Sequence, residues 1–186
     1  MSARHEHRGD FGIHFKMTLY HRYNKEDELC QTIGYFSLNL RKGAVKTIAE
    51  LLDLDATSTV GWVGCGDGRE LLSIAKEHSK TQFDAFEINE VALGIARRVA
   101  EAENVRNVRF HHMDFLRFVD KQFSHVYSTA ISGQDLYQKI FTACSRRICV
   151  LKEMWQSDHG FTKKHVSTVR IMGSGEQRQL VCGEQE

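Results

Sequence analysis

Proline is absent from all 186 residues of the sequence. That excludes chemistry built on proline: the Asp/Asn-Pro-Pro-aromatic site of amino-methylating DNA enzymes, the Pro-Cys nucleophile of cytosine carbon-5 methylases, and the Pro-Cys-x-x-Cys zinc arm of deaminases. Excess charge of one sign is lacking as well. Lys and Arg total 25 against 24 Asp and Glu, a net charge of +1. A strongly basic nucleic-acid coat and an acidic tail protein are thereby excluded. No apolar run reaches the roughly 18 residues of a membrane-spanning helix. Residues 1–10 are polar and His-rich with no apolar centre, so they do not read as a signal peptide. Cysteine is sparse, with five residues at 30, 65, 144, 149 and 182 and no C-x-x-C pair. A reduced, intracellular protein, cytoplasmic or nuclear, is expected. The pairs His5/His7 and His111/His112 have no Cys or carboxylate partners at metal spacing, so no metal site is expected.

What is present is an ordinary globular balance, 41% apolar and 26% charged, long enough for one domain with a sizeable core. Residues 1–34 are the least patterned. They are expected to form an N-terminal arm or lid ahead of a domain over 35–186. Val45, Ile48, Ala49 and Leu52 fall at helical spacing within 41–54. A β-branched run at 59–63 ends in the glycine cluster 64–68. Leu71, Ile74, Ala75 and His78 then give a helical stripe. Strands are expected at 83–87, 108–111, 125–130 and 148–151, with a helix at 91–102. A capping-box spacing, Ser132-Gly133-Gln134-Asp135, precedes a stripe of Leu136, Ile140, Phe141 and Cys144. Segments 165–172 and 179–182 flank Gly173-Ser174-Gly175-Glu176 and read as a hairpin. Alternating strand and helix over 60–151 predicts a parallel sheet with helices on both faces. Right-handed crossovers then collect the glycine loop and the strand ends on one edge.

Three features on that edge carry chemistry. Gly64, Gly66 and Gly68 let the backbone turn tightly and approach a ligand with no Cβ in the way, and the next helix offers unsatisfied N–H groups. The same spacing also serves a plain strand–helix turn. Glu87 closes the second strand 19 residues after Gly68, placed either to accept from a ribose diol or to sit at a helix start. Asp114, just past the third strand, offers a carboxylate to an adenine amino group or closes an Asx-turn. Phe115 beside it stacks on a ligand or fills core. Asp67 offers another carboxylate or bonds locally in the loop. Cys65 reads as a small filler, and Cys144 and Cys149 as core thiols on a helix and a strand.

The segments Val63-Gly64-Cys65-Gly66-Asp67-Gly68, Phe86-Glu87-Ile88-Asn89 and His112-Met113-Asp114-Phe115 resemble the three nucleoside-binding motifs of class I S-adenosylmethionine-dependent methyltransferases. The resemblance spans roughly residues 40–182. It implies an α/β fold: a seven-strand, Rossmann-like, mostly parallel sheet with helices on both faces and a C-terminal antiparallel hairpin. It implies S-adenosylmethionine as cofactor, held by Gly64, Cys65, Gly66, Asp67, Gly68, Glu87, Ile88, Asp114 and Phe115. Groups facing the methyl are expected from the fourth strand's end and from the segment before Arg41. They are Ser128, Thr129 and Tyr35, with Tyr127 after them. In that superfamily an acid opens the glycine motif and engages the cofactor's methionine amino group. Trp62 stands in its place here.

A narrower resemblance joins Tyr35-Phe36, the helix to Leu54, the glycine loop, Glu87-Ile88 and Asp114-Phe115-Leu116 to the disruptor-of-telomeric-silencing family, which methylates a lysine in the globular part of histone H3. Where that family carries Asn-Asn-Phe, this chain has Tyr127-Ser128-Thr129-Ala130. The resemblance implies a protein lysine as methyl acceptor. RNA or small-molecule methylation, and a non-catalytic binding role for the same fold, are the alternatives. No membrane partner and no stable nucleic-acid binding are expected at this charge.

Overall fold

The computed structural model describes residues 42–119, 122–129, 133–155, 160–170 and 177–185. The expected arm 1–34, the domain boundary at 35, and Tyr35 lie outside the described residues.

Helix α1 (Lys42–Leu52) forms on the expected stripe and buries Ile48 and Leu52 completely. It stops short of 54 because Asp53 turns left-handed at φ 48°. The Asp53 amide still reaches the Ala49 carbonyl at 3.1 Å and closes the last turn. Five strands and three helices follow in chain order: β1 (Thr59–Val63), α2 (Arg69–Glu77), β2 (Gln82–Glu87), α3 (Glu90–Ala102), β3 (Val108–His112), β4 (Phe123–Ser128), α4 (Gln134–Thr142) and β5 (Cys144–Leu151). The antiparallel pair β6 (Phe161–Arg170) and β7 (Gln177–Gln185) completes one sheet of order β3-β2-β1-β4-β5-β7-β6. Strands β1 to β5 are parallel and β7 runs against β5. This is the expected fold. Residues 171–176, which include the expected turn at Gly173–Glu176, lie outside the described residues.

Burial on both sheet faces explains why the central strands read as short apolar runs. On one face Phe86 stacks on His111 at 4.7 Å and meets Phe115 and Phe118 edge-on, each at 4.8 Å. On the other, Trp62 of β1 packs against its register partner Tyr127 of β4 with ring centroids 4.1 Å apart. At the hairpin end, Gly183 lies beneath Trp155. A Cβ at that position would overlap the indole's Cη2, so the missing side chain is what lets Trp155 rest there, 5.3 Å from Phe141.

Several boundaries differ from expectation, among them those of the hairpin strands, expected at 165–172 and 179–182 and found at Phe161–Arg170 and Gln177–Gln185. The fourth strand begins at Phe123 rather than 125 and ends at Ser128 rather than 130. Ser124 binds it early: its amide donates to Thr59 Oγ1 at 3.1 Å and its hydroxyl to the Thr59 carbonyl at 3.0 Å. The fifth strand begins at Cys144, not 148. Cys144 therefore does not close the helical stripe of α4. The helix ends at Thr142, and the Ala143 carbonyl accepts from the Phe123 amide at 2.8 Å, committing the chain to the sheet. The α4 N-cap is Gly133, without a side-chain cap; Ser132 lies outside the described residues. Among the described residues, no helix is long and apolar enough to cross a membrane and no group of side chains could hold a metal.

Candidate active site

The carboxyl edge of β1, β2 and β3 gathers the predicted residues. The loop after β1 takes positive φ at Gly64 (75°), Gly66 (57°) and Gly68 (76°), conformations that cost little only for glycine. Its amides are tied to the neighbouring strand. Gly64 and Cys65 both donate to the Phe86 carbonyl, at 2.9 and 3.0 Å. Gly68 also permits close approach to α3, since a Cβ there would lie 2.9 Å from Ala96 Cβ.

Glu87 organises the second strand end. Its Oε2 accepts the Gly66 amide at 2.8 Å, and its Oε1 accepts the amides of Ile88 and Asn89, each at 2.9 Å. Glu87 is not the cap of α3. That role falls to Asn89, whose Oδ1 accepts from Val91 at 3.0 Å and Ala92 at 3.2 Å. Asp114 follows β3 and caps a short 3₁₀ turn, Phe115–Arg117, through Leu116 N–H to Oδ1 at 3.0 Å. Phe115 is buried against Phe86 and fills core, whereas Ile88 is 71% exposed and Leu116 44% exposed. Two partly bonded carboxylates thus stand between two uncovered aliphatic side chains.

Asp67 is wholly buried beneath the loop and bonds locally. Its carboxylate takes the Arg69 guanidinium through both oxygens, with Nε at 3.0 and 2.9 Å and a second contact from Nη2. Cys65 is buried, and burial pushes its thiol well up, helped by the Glu87 and Asp67 charges. Ser128, at the end of β4, is fully buried and donates to the Val63 carbonyl at 3.1 Å. Thr129 lies one residue beyond the strand and is half-buried. Tyr127, one residue before Ser128, has its hydroxyl buried. Burial pushes that phenol well above its ordinary range, the Cys149 and Glu70 charges add to the rise, and a side-chain hydrogen bond with Thr129 opposes it.

A comparison with curated proteins finds no match. Residues 62–149 match the family model described as a methyltransferase domain. The matched segment runs from β1 into β5 and holds the glycine loop, Glu87 and Asp114. Solved structures agree in fold. TrmN from Thermus thermophilus superposes at a TM-score of 0.65 with 20% identity, over 76% of this chain and 48% of that one; this chain spans about half of that protein's length. Magnesium protoporphyrin IX methyltransferase from Synechocystis PCC 6803, solved with bound SAH, gives 0.66 at 13% identity, over 92% of this chain and 99% of that one. The tRNA (m1A58) methyltransferase TrmI from Aquifex aeolicus gives 0.65 at 16% identity, over 81% and 71%. At such identities the likeness is one of fold. The narrower likeness to the disruptor-of-telomeric-silencing family finds no support in these matches.

The carboxyl edge of β1 to β3 has residues that fit S-adenosylmethionine. The loop turns left-handed at three glycines, the Glu87 carboxylate is fixed by three amides yet only half-buried, and the exposed Ile88 and Leu116 offer apolar surface for a purine ring. Sequence reasoning missed Leu116. Its signal was a large aliphatic residue directly after Asp114-Phe115, with the 3₁₀ turn deciding which of the two faces outward.

Proposed function

We propose that this chain transfers the methyl of S-adenosylmethionine to a small-molecule acceptor. The observation that carries the cofactor half is the Glu87–Gly66 bond, which fixes a carboxylate and a glycine cradle as one unit at the sheet's carboxyl edge. In this reading Glu87 accepts from the ribose hydroxyls with the oxygen lone pairs its amide bonds leave over. Asp114 accepts from the adenine amino group, while Ile88 and Leu116 cover the ring's faces. Gly64, Cys65, Gly66, Asp67 and Gly68 line the approach, with Asp67 acting through Arg69 to hold the loop's shape. Phe115 supports Asp114 from the core.

S-adenosylmethionine supplies an already activated methyl on a sulfonium. The protein's task is therefore alignment and exclusion of water. Thr129 and Tyr35 are proposed to orient the acceptor. Ser128 backs them by tying β4 to the Val63 carbonyl. A small-molecule acceptor is favoured because the net charge of +1 offers little hold on a phosphate backbone. The fold likeness to magnesium protoporphyrin IX methyltransferase, over 92% of this chain and 99% of that one, supports it too. RNA is the second reading, since TrmI acts on tRNA. A protein lysine remains the third, on the sequence resemblance alone.

Isothermal titration with S-adenosylhomocysteine tests the first half; no heat at millimolar ligand and an unchanged melting temperature overturn it. Label transfer from tritiated cofactor to extract metabolites, RNA, and nucleosomes with free histones tests the second. Counts in RNA or histone alone replace the small-molecule acceptor.

A further inference from the structure

Cys149 of β5 and Cys182 of β7 stand directly opposite each other across an antiparallel pair. Residues so placed send their side chains to one face with Cα atoms about 4.5–5.5 Å apart. That separation lies inside the roughly 4.4–6.8 Å that a disulfide spans. The register alone therefore brings the two within bonding reach, with no shift of the backbone. Both are free thiols and both are buried. The Cys149 thiol hydrogen-bonds to Cys182. Cys182 Sγ in turn donates to the Leu51 carbonyl, in the last turn of α1, at 3.2 Å.

The neighbouring pair on the same face is Arg147 opposite Glu184, two residues along each strand. Arg147 donates from Nη1 to the Leu51 carbonyl at 3.2 Å, and it pairs with Asp53 at 3.3 Å and with Glu184. The Asp53 side chain is exposed, so an ion pair that water reaches borders the Cys182 sulfur. The two thiols are unequal. The bond from Cys149 lowers the Cys182 pKa, burial opposes it, and the Arg147 charge lowers it further. Cys149 is pushed well up by the same bond and by burial. Burial also raises the thiols of Cys65 and Cys144, the latter to about 12. Among the described cysteines, Cys182 alone is shifted toward the thiolate, the form that reacts.

We propose that Cys149 and Cys182 form a modification site, a dithiol that hydrogen peroxide converts into a disulfide bolting the terminal hairpin to the parallel sheet. The Cys182 thiolate attacks one peroxide oxygen, the O–O bond breaks, and hydroxide leaves while Cys182 becomes a sulfenic acid. The Cys149 sulfur then attacks the Cys182 sulfur and displaces its hydroxyl as hydroxide. The two hydroxides take the two thiol protons. Two thiols thus lose two electrons, and the peroxide is reduced to two waters. The link removes the hydrogen that Cys182 gives to the Leu51 carbonyl and leaves Arg147 Nη1 donating there. A reducing dithiol reverses it by exchange. The step needs no cofactor and is independent of the methyl-transfer reading.

The test is peroxide treatment of the folded full chain, then alkylation of the remaining thiols with iodoacetamide, trypsin digestion and mass spectrometry. Trypsin puts Cys144, Cys149 and Cys182 on separate peptides, with Cys149 in 148–152 and Cys182 in 179–186. The expected result is those two peptides joined, lighter by two hydrogen atoms than the reduced pair and parted again by dithiothreitol. Cys149→Ser keeps a donor beside Cys182 but cannot close the link. Dimedone, which captures sulfenic acids, is expected to label Cys182 in that variant. A thermal melt on each sample verifies folding. Peptides 148–152 and 179–186 that remain alkylated after peroxide overturn the proposal. So does a link that forms only in urea, where the native register no longer places the two sulfurs. Dimedone on Cys65 or Cys144 in place of Cys182, in the folded variant, overturns it too. Mapping of the wild-type chain decides the matter alone if the variant does not fold.

Discussion

Gly66 donates its amide to Glu87 Oε2 at 2.8 Å across 21 positions of chain. The bond joins the glycine loop of one strand to the terminal carboxylate of the next. Loop shape and the charge at the end of β2 are therefore set by the same side chain. Glu87→Gln separates them. A glutamine has a single carbonyl oxygen, so either the Gly66 amide or the Ile88–Asn89 pair is left facing an NH₂. The expected outcome is a loss of about 1–3 kcal/mol in stability, read by urea unfolding. A fall in S-adenosylhomocysteine affinity of roughly tenfold or more should accompany it.

Gly68→Ala should destabilise by a different route. The residue sits at φ 76° and its new Cβ would lie 2.9 Å from Ala96 Cβ. Strain and overpacking add to about 1–3 kcal/mol. Ala96→Gly in the same chain should restore the overpacking part only, so a double-mutant cycle on melting temperature separates the two causes.

Ile88→Ala should leave stability alone, because the side chain is 71% exposed and covers no core. Its cost should appear only in binding, with S-adenosylhomocysteine weakened roughly tenfold by the lost apolar contact. An unchanged dissociation constant would remove Ile88 from the site.

Acid stability should fall through a window set by His125. The ring is buried at the amino end of β4, with Nδ1 2.8 Å from Ser124 Oγ. Burial first, then the Arg146 and Arg147 charges, holds its pKa down from 6.5 to about 4. Below pH 6.5 the unfolded chain takes up a proton that the folded chain refuses until about 4. Protonation thus favours unfolding, and stability drops as pH falls across that interval. His125→Gln should flatten this slope in urea melts at stepped pH. A His125 ring that titrates near 6.5 by NMR would contradict the assignment.

Much of the binding edge was legible in the sequence because its parts are local. Closely spaced glycines force a turn wherever they fall, and a carboxylate at a strand end points to the edge whatever packs below. Side chains whose direction depends on distant partners were not legible. The Asp67–Arg69 bond requires knowing that Asp67 is buried. The choice between Phe115 and Leu116 turns on a 3₁₀ turn capped by Asp114. The packing of Trp62 on Tyr127 becomes visible only once the two are seen in register across β1 and β4. The strand boundaries failed for a related reason. Register shifts between Phe123 and His125, where β4 pairs with β5, and the sheet contacts of Ser124 and Ala143 are long-range. Periodicity within one segment carries no trace of them.

The seat of Trp155 over Gly183 ties two distant positions into one evolutionary unit. Any lineage that gains a side chain at 183 must first, or at once, shrink the indole at 155, because the intermediate has no room for both. Among descendants of this sequence the pair should drift only in step, and a set of orthologues would display that lockstep without any measurement on the protein itself.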